Sequence, residues 1–413
     1  MQKIISKLTA INLISTTVLL AFATLNIFAQ NEGRSLQATK QNQKIKQNDE
    51  LKDTGIDETF SPAFRGENAE IIAADIQKDG KIIIAGVFSL PHEIEGNIKM
   101  RVARLNSDGT VDKTFKVFNY PNVNVPITVV KVQPDGKILV AYTDYLIRLN
   151  VDGSWDSGFT SRGISTIYDI QLYEDGKILL SGQFSYFDYY NLEKIIRLNP
   201  DGSFDSTFRK AWGNNMVRKS VITDDGQIYA ALGPSPCSDE NGLFPRINPD
   251  GTADITFVFS QNFNACTSGI GPSDLYDVVI EKDGNILISG ELSNINNNFN
   301  KSVKGITRLD KNGAVLTKFE GNIGSVNKIY PQPDGKIITL IAGVQNAEIK
   351  RYFSNGTIDP SLNYNIQANY VLYYFPNFSG IVTQPDGKIL VYGFIKGVNG
   401  VPKYGIVRLN TNN

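Results

Sequence analysis

Apolar residues in this chain fall in short runs that recur around one polar turn. The element Asp-Gly-(Lys/Gln/Asn)-Ile occurs seven times, starting at Asp79, Asp135, Asp175, Asp225, Asp283, Asp334 and Asp386. The spacings are 56, 40, 50, 58, 51 and 52 residues, with a mean near 51. An alternating or apolar run precedes each copy and another follows it, as in ITVVKVQPDGKILVAY and GIVTQPDGKILVYG. Pro-Asp-Gly suits a tight hairpin, because Pro fixes φ, Asp tolerates the next position and Gly takes the positive-φ residue. The runs after the turn (KIIIAG, KILLSG, NILISG) are almost continuously apolar. That pattern predicts strands buried on both faces, in small sheets sandwiched between neighbours.

A second element lies between successive copies of the first. It reads Arg-Leu-Asn-x-Asp-Gly-x-x-Asp-x-x-Phe, as from Arg104 through Asp108, Gly109 and Asp112 to Phe115. Further copies begin at Arg148, Arg197, Arg246, Arg308 and Arg351, the last two degenerate. A second hairpin per repeat predicts four antiparallel strands in about 50 residues, the size of a β-propeller blade. Seven copies predict seven blades. The sixth departs most, with Phe353 at the Asn position and Leu362 at the Phe position, so its outer strand has the weakest pattern. The chain stops at Arg408-Leu409-Asn410-Thr411-Asn412-Asn413, halfway through the second element. The missing half stands near the other end, from Asp53 to Phe60, one glycine out of register. An N-terminal strand is therefore expected to complete the last blade and close the ring, removing an open sheet edge.

With QPDGKI at Gln133–Ile138, Gln332–Ile337 and Gln384–Ile389, and RLN-x-DG-x-x-D between such turns, the chain resembles the delta-60 repeat β-propellers of secreted bacterial proteins. The resemblance runs from Asp53 to Asn410. It implies a propeller fold and export, and offers no shared catalytic residues or ligand.

The ends are read separately. Residues 1–29 have the form of a secretory signal: Lys3 and Lys7, a mostly apolar stretch from Leu8 to Phe28, and a small residue, Ala29, at the expected cleavage point. The alternative is an uncleaved membrane anchor, although Asn12, Ser15, Thr16, Thr17 and Asn26 make it a mediocre span. Residues 30–52 are polar and lack aromatics, which predicts a flexible linker. The propeller is assigned to residues 53–413. A secreted, extracellular or periplasmic location follows, with no stable membrane span after cleavage.

Composition narrows the chemistry. With 41 basic and 42 acidic residues the net charge is −1, which argues against nucleic acid as a partner. The Asn-x-Asp-Gly-x-x-Asp run resembles part of a calcium loop. Arg stands two residues before the Asn in every copy, however, and would repel a divalent cation and pair with Asp108 or Asp112. The fifth copy also has Leu316 where the last carboxylate would be. No metal and no cofactor is expected. The single histidine, His92, lies in a loop with no nucleophile motif beside it, and is not expected to be catalytic. Cys237 and Cys266 fall in connections on one face. A disulfide between them would stabilise by about 3–4 kcal/mol on the chain-entropy model.

The long connections carry the remaining candidates. Tyr186, Phe187, Tyr189, Tyr190, Trp212, Tyr370, Tyr373 and Tyr374 lie in links of variable length on one face. Rings of this kind suit a surface protein or a glycan. The alternative is that they only cover blade seams. The turn lysines Lys81, Lys137, Lys177, Lys336 and Lys388 are expected to keep the opposite rim soluble. The function expected is a non-catalytic binding module. Its rival is an extracellular carboxylate-dependent carbohydrate hydrolase or lyase, which would need two or more buried carboxylates within about 5–10 Å of each other on the axis. Asp188, Glu193, Asp239 and Glu240, on variable loops, are weaker candidates for such a pair.

Overall fold

The computed structural model describes residues 55–411, apart from 63, 65–68, 91–98, 120–125, 144, 160–165, 185, 188–189, 192–193, 210–215, 234–243, 258–273, 294–301, 320–324, 344–345 and 369–377. The proposed signal and linker, His92, both cysteines, and Asp188, Glu193, Asp239 and Glu240 lie outside the described residues. No helix among the described residues is long and apolar enough to cross a membrane.

The fold is all-β and propeller-like, built from small antiparallel sheets. Each Asp-Gly turn joins the first two strands of one sheet, as Asp79-Gly80 joins Glu70–Ile76 to Ile82–Phe88. The turn is three residues long. Gly80 N–H donates to Gln77 O at 2.9 Å, and Gln77 N–H to Lys81 O at 2.8 Å. Gly80 sits at φ +81°, which closes the loop without a Cβ clash. Among the described residues there are seven sheets of three to six strands and one two-stranded ribbon.

Second strands are buried on both faces because their alternate residues enter different seams. Ile83 and Ala85 pack with Ile127, Val130, Ile138 and Val140 of the second sheet. Ile82 and Ile84 pack instead with Leu390 and Ile406 of the last. Comparable apolar clusters fill the five seams between. The first strands touch in chain order, and Phe378–Thr383 of the last sheet touches Glu70–Ile76 of the first.

The second element explains what joins the sheets at the outside. Arg104 Nε donates to Asp112 Oδ2 at 2.8 Å, and Lys81 Nζ of the same repeat donates to that oxygen at 2.8 Å. Asp112 Oδ1 accepts from Thr114 N–H and Oγ1–H at 2.9 and 2.7 Å. The guanidinium stacks on Phe115, 4.9 Å from the ring centre. Its remaining arm crosses the seam, Nη1 donating to Val151 O of the next sheet at 2.8 Å. Arg148, Arg197 and Arg246 repeat this with Asp156, Asp205 and Asp254, reaching Pro200, Pro249 and Lys311 carbonyls. Arg351 pairs with Asp359 and reaches Thr411 O. In every copy but the fifth the partner of the motif Arg is thus the later Asp, while Asp108 instead accepts from Thr110.

Residues 55–60 supply the missing half of the last clamp. Ile56 bridges Leu409, Asp57 N–H donates to Arg408 O at 2.9 Å, and Asn410 N–H donates to Gly55 O at 2.8 Å. Arg408 Nε donates to Asp57 Oδ2 at 2.7 Å, stacks on Phe60 at 5.0 Å, and reaches Ser107 O of the first repeat at 2.6 Å.

Three expectations need correction. Among the described residues of the second, third and fourth repeats, the segment opposite the third strand is reduced to single bridges, Leu149↔Trp155, Leu198↔Phe204 and Ile247↔Ala253, where a fourth strand was expected; the first repeat keeps a short one, Phe118–Asn119, paired with Arg101 and Val102. The Asp side chain bonds the N–H two positions on, which competes with ladder pairing at that point; in the sixth repeat the same bond of Asp359 is accommodated by a register shift, beyond which the ladder continues. The sixth repeat, with the weakest pattern, instead has an outer strand of 11 residues, Ile358–Ala368, whose buried positions largely alternate. Finally, the turn lysines are not free rim charges. Lys81, Lys137, Lys177, Lys336 and Lys388 each pair with a clamp carboxylate at 2.6–3.1 Å.

Removing one partner of a buried pair strands the other charge, at a cost of about 3–5 kcal/mol. Asp57→Ala should therefore lower unfolding stability by about that amount, measured by urea denaturation. Removing the exposed pair Lys116–Asp152 should leave the urea midpoint nearly unchanged. The acid response follows from the same carboxylates. Burial opposes ionisation of Asp57, Asp112, Asp205 and Asp359, but the bonds from their Lys, Arg and hydroxyl partners overcome it and hold them well below the usual range. Asp156 is lowered to about 2, chiefly by Lys137. Depressed folded-state values contribute stability above the unfolded value of about 4 that is lost as the pH falls. The urea midpoint should thus hold from neutrality to about pH 5 and drop steeply between about pH 4 and 2.

Candidate functional site

Every first strand carries a β-bulge, marked by a register shift such as Ile71/Ala73, Ile167/Asp169 and Leu275/Asp277. The residue after the bulge lies six positions before the turn Asp, and in the first six sheets it lines a cavity of about 410 Å³ bounded by first strands of all seven larger sheets. At this position the third to sixth sheets present Asp169, Lys219, Asp277 and Lys328, a row of alternating sign. The remaining three sheets present Ala73, Val129 and Gly380. Two residues further along, Asp75 and Lys131 form one more pair, 3.8 Å apart.

Each of these aspartates also ties neighbouring sheets together. Asp75 Oδ2 accepts from Val132 N–H at 2.8 Å, Asp169 Oδ2 from Ser220 N–H at 3.2 Å, and Asp277 Oδ2 from Ile329 N–H at 2.8 Å. Tyr330 Oη plays the same part for Ile381 N–H at 2.8 Å. Asp169 is saturated, since Lys219 Nζ donates to Oδ1 at 2.7 Å and Gln171 Nε2 to Oδ2 at 3.0 Å. Asp277 is not. Its side chain is 2% exposed, and Oδ1 has no hydrogen-bond partner among the described residues.

The environments push the two buried acids apart. Burial raises Asp169, but Lys219 overcomes it and the carboxyl ends below its ordinary value. Burial also raises Asp277, and there Lys328, Lys219 and the Ile329 N–H do not overcome it, so its value stays up. Lys219 is raised despite its own desolvation, because Asp169, Asp277 and Asp75 surround it. Burial pushes the Tyr330 and Tyr392 hydroxyls upward as well.

Of the aromatic candidates, Tyr186–Phe187 and Tyr190–Asn191 form the two-stranded ribbon, with Tyr186 opposite Asn191 and Phe187 opposite Tyr190. It is inserted between the second and third strands of the third sheet. Tyr189, Trp212, Tyr370, Tyr373 and Tyr374 lie outside the described residues. The axial row was not among the sequence candidates. Its signal is a charged residue six positions before the turn Asp in four consecutive repeats, legible only once the repeats are aligned on that turn.

Five segments, residues 77–115, 133–159, 174–208, 332–362 and 384–412, match the family described as a domain of unknown function (DUF5122) β-propeller, which supports a β-propeller repeat family of unknown function. None of them spans the fourth or fifth sheet, where Gln227 and Asn285 replace the turn lysine. No curated protein matches the sequence. Among solved structures, the fold is similar to a catalytically inactive His-to-Ala variant of virginiamycin B lyase from Staphylococcus aureus with quinupristin. The identity is 13% and the TM-score 0.53, over 85% of this chain and 98% of that one. The extracellular domain of a hybrid two-component system from B. thetaiotaomicron gives 12% and 0.53, over 86% of this chain, which spans 40% of that one. The Neurospora crassa Pan2 WD40 domain gives 10% and 0.51, over 84% and 90%. At these identities the likeness is one of fold.

The axial acids should respond oppositely to neutralisation. Asp169→Asn strands Lys219 and should lower the melting temperature by several degrees, since about 1 kcal/mol shifts Tm by a few degrees in a chain of this size. Asp277→Asn removes a poorly compensated buried charge while keeping an acceptor for Ile329 N–H, and should leave Tm unchanged or raise it at neutral pH. Differential scanning calorimetry of both variants checks this.

Proposed function

We propose that this chain is an exported, seven-bladed β-propeller of the delta-60 type, its ring closed by residues 55–60. It acts as a non-catalytic binding module, engaging a surface protein or glycan through its long-loop face. The circle of seams and the seven arginine links support the ring. The charged and then apolar start at residues 1–29 supports export, and the extracellular setting of the B. thetaiotaomicron neighbour fits it.

The observation that carries the binding reading is the commitment of the axial carboxylates. A glycosidase pair needs one carboxyl able to give a proton and a second free to attack or to activate water. Asp169 has both oxygens bonded and is paired with Lys219, and Asp75 is bonded to Val132 N–H beside Lys131. Neither is a free base. The ribbon of Tyr186, Phe187 and Tyr190 adds an aromatic elaboration where an extra partner surface is expected.

A second reading, a carboxylate-dependent carbohydrate hydrolase or lyase, draws on the opposite pKa directions of Asp169 and Asp277, the pattern by which an acid and a base are told apart. Pull-down from the native envelope should capture a partner with the wild type and lose it when residues 185–191 are replaced by a short turn. Equal capture by both would remove the long-loop face from the proposal. Polysaccharide digests followed by reducing-end and unsaturated-product assays should show no turnover. Turnover abolished by Asp277→Asn would establish the enzyme instead.

A further inference from the structure

We propose that the axial cavity is itself a ligand site, built to hold one neutral, hydroxyl-rich sugar unit between Asp277 and Lys328. This names a site that the long-loop reading does not require.

Two groups facing the cavity have unused hydrogen-bonding capacity. Asp277 Oδ1 is a buried acceptor with no partner among the described residues, although the other oxygen of the same carboxylate is bonded to Ile329 N–H. A buried carboxylate oxygen left bare is costly, so the site favours an incoming donor. Lys328 lies at the equivalent position of the next sheet and lines the same cavity. Its ammonium makes no hydrogen bond to any described residue, so it offers donors beside that acceptor.

The sign pattern selects the kind of ligand. A cation approaching Asp277 would meet Lys219 on one side and Lys328 on the other. An anion approaching Lys328 would meet Asp277. Adjacent hydroxyls satisfy both groups without net charge, one donating to Asp277 Oδ1 and its neighbour accepting from Lys328 Nζ. On the opposite wall Ala73 and Val129 stand at this level in place of charged residues, beside Ile381 and Tyr392, which gives a surface for the C–H face of a ring. The cavity, about 410 Å³, is within the range of small-molecule sites, about 300–1,000 Å³.

The test is calorimetric titration of the full exported chain with neutral monosaccharides and disaccharides, alongside an amino sugar and a uronate. Saturable binding of a neutral sugar, weaker by tenfold or more in both Asp277→Asn and Lys328→Met, is the expected result. Melting curves without ligand show that each variant is folded, and Lys328→Met keeps the apolar stem, so a loss of binding reads the ammonium alone. Tighter binding of the amino sugar or the uronate would overturn the neutral-ligand assignment. No saccharide binding, or binding unchanged in both variants, would overturn the site. Because the ribbon variant of the previous section leaves the cavity intact, it should bind the sugar as the wild type does. Loss of partner capture with sugar binding retained separates failure of one proposal from failure of the other.

Discussion

The structure depends on one repeated contact: a guanidinium that pairs with a carboxylate in its own repeat, lies on an aromatic ring, and holds a carbonyl of the next sheet. A small sheet alone exposes two apolar faces and cannot exclude water from either. Apolar packing brings neighbouring sheets together, but it is non-directional and tolerates sliding. The arginine link sets the distance and orientation at the outer end of each seam, as the axial aspartates do at the inner end of three of them. Seen this way, Lys, Asp, Thr and Phe in the repeat are the means of keeping one charged, planar group in place.

The fifth repeat shows that this contact has priority over the residues that make it. There the expected carboxylate is replaced by Leu316, which is half exposed. Arg308 is nevertheless paired, with Glu281 from the end of the first strand, Nε to Oε2 at 2.6 Å and Nη2 to Oε1 at 2.9 Å. It still stacks on Phe319 and still reaches Ser354 O in the next sheet. The carboxylate still meets the Nε edge of the guanidinium, but it now comes from Glu281, beside the first strand, rather than from the outer segment. The sixth repeat loses the Phe to Leu362, while Arg351 Nη2 keeps, with Ser361 Oγ at 2.6 Å, the hydroxyl contact that Thr114, Thr256 and Thr59 accept elsewhere.

What could be read in advance follows from where each signal is stored. Turns and buried second strands are local. Asp-Gly with a positive-φ glycine and KILLSG-type runs specify them within a few residues, and the Arg–Asp pairing is only eight residues long. The split repeat was legible because its halves keep the same consensus. The fourth strands of the second to fourth repeats were over-read, since an Asp-x-x-Phe segment has the composition of a strand while its Asp bonds its own backbone. The axial row was missed because Asp169, Lys219, Asp277 and Lys328 differ from one another, and their meaning arises only when separate sheets bring them side by side. The aromatic face stays least defined, being carried by connections whose lengths follow no repeat rule.

Gly153 shows how tightly the repeats are threaded. A Cβ on this residue would lie 2.3 Å from Lys116 O and 2.8 Å from the Phe115 ring, so the preceding repeat leaves its sheet directly over the next one's turn. The same crossing makes each repeat a lid on the one that follows. In the last link the order is reversed in time, because Asp57 leaves the ribosome 351 residues ahead of Arg408. The first clasp half synthesised is the last to be fastened, and until then the growing molecule has an unsealed flank.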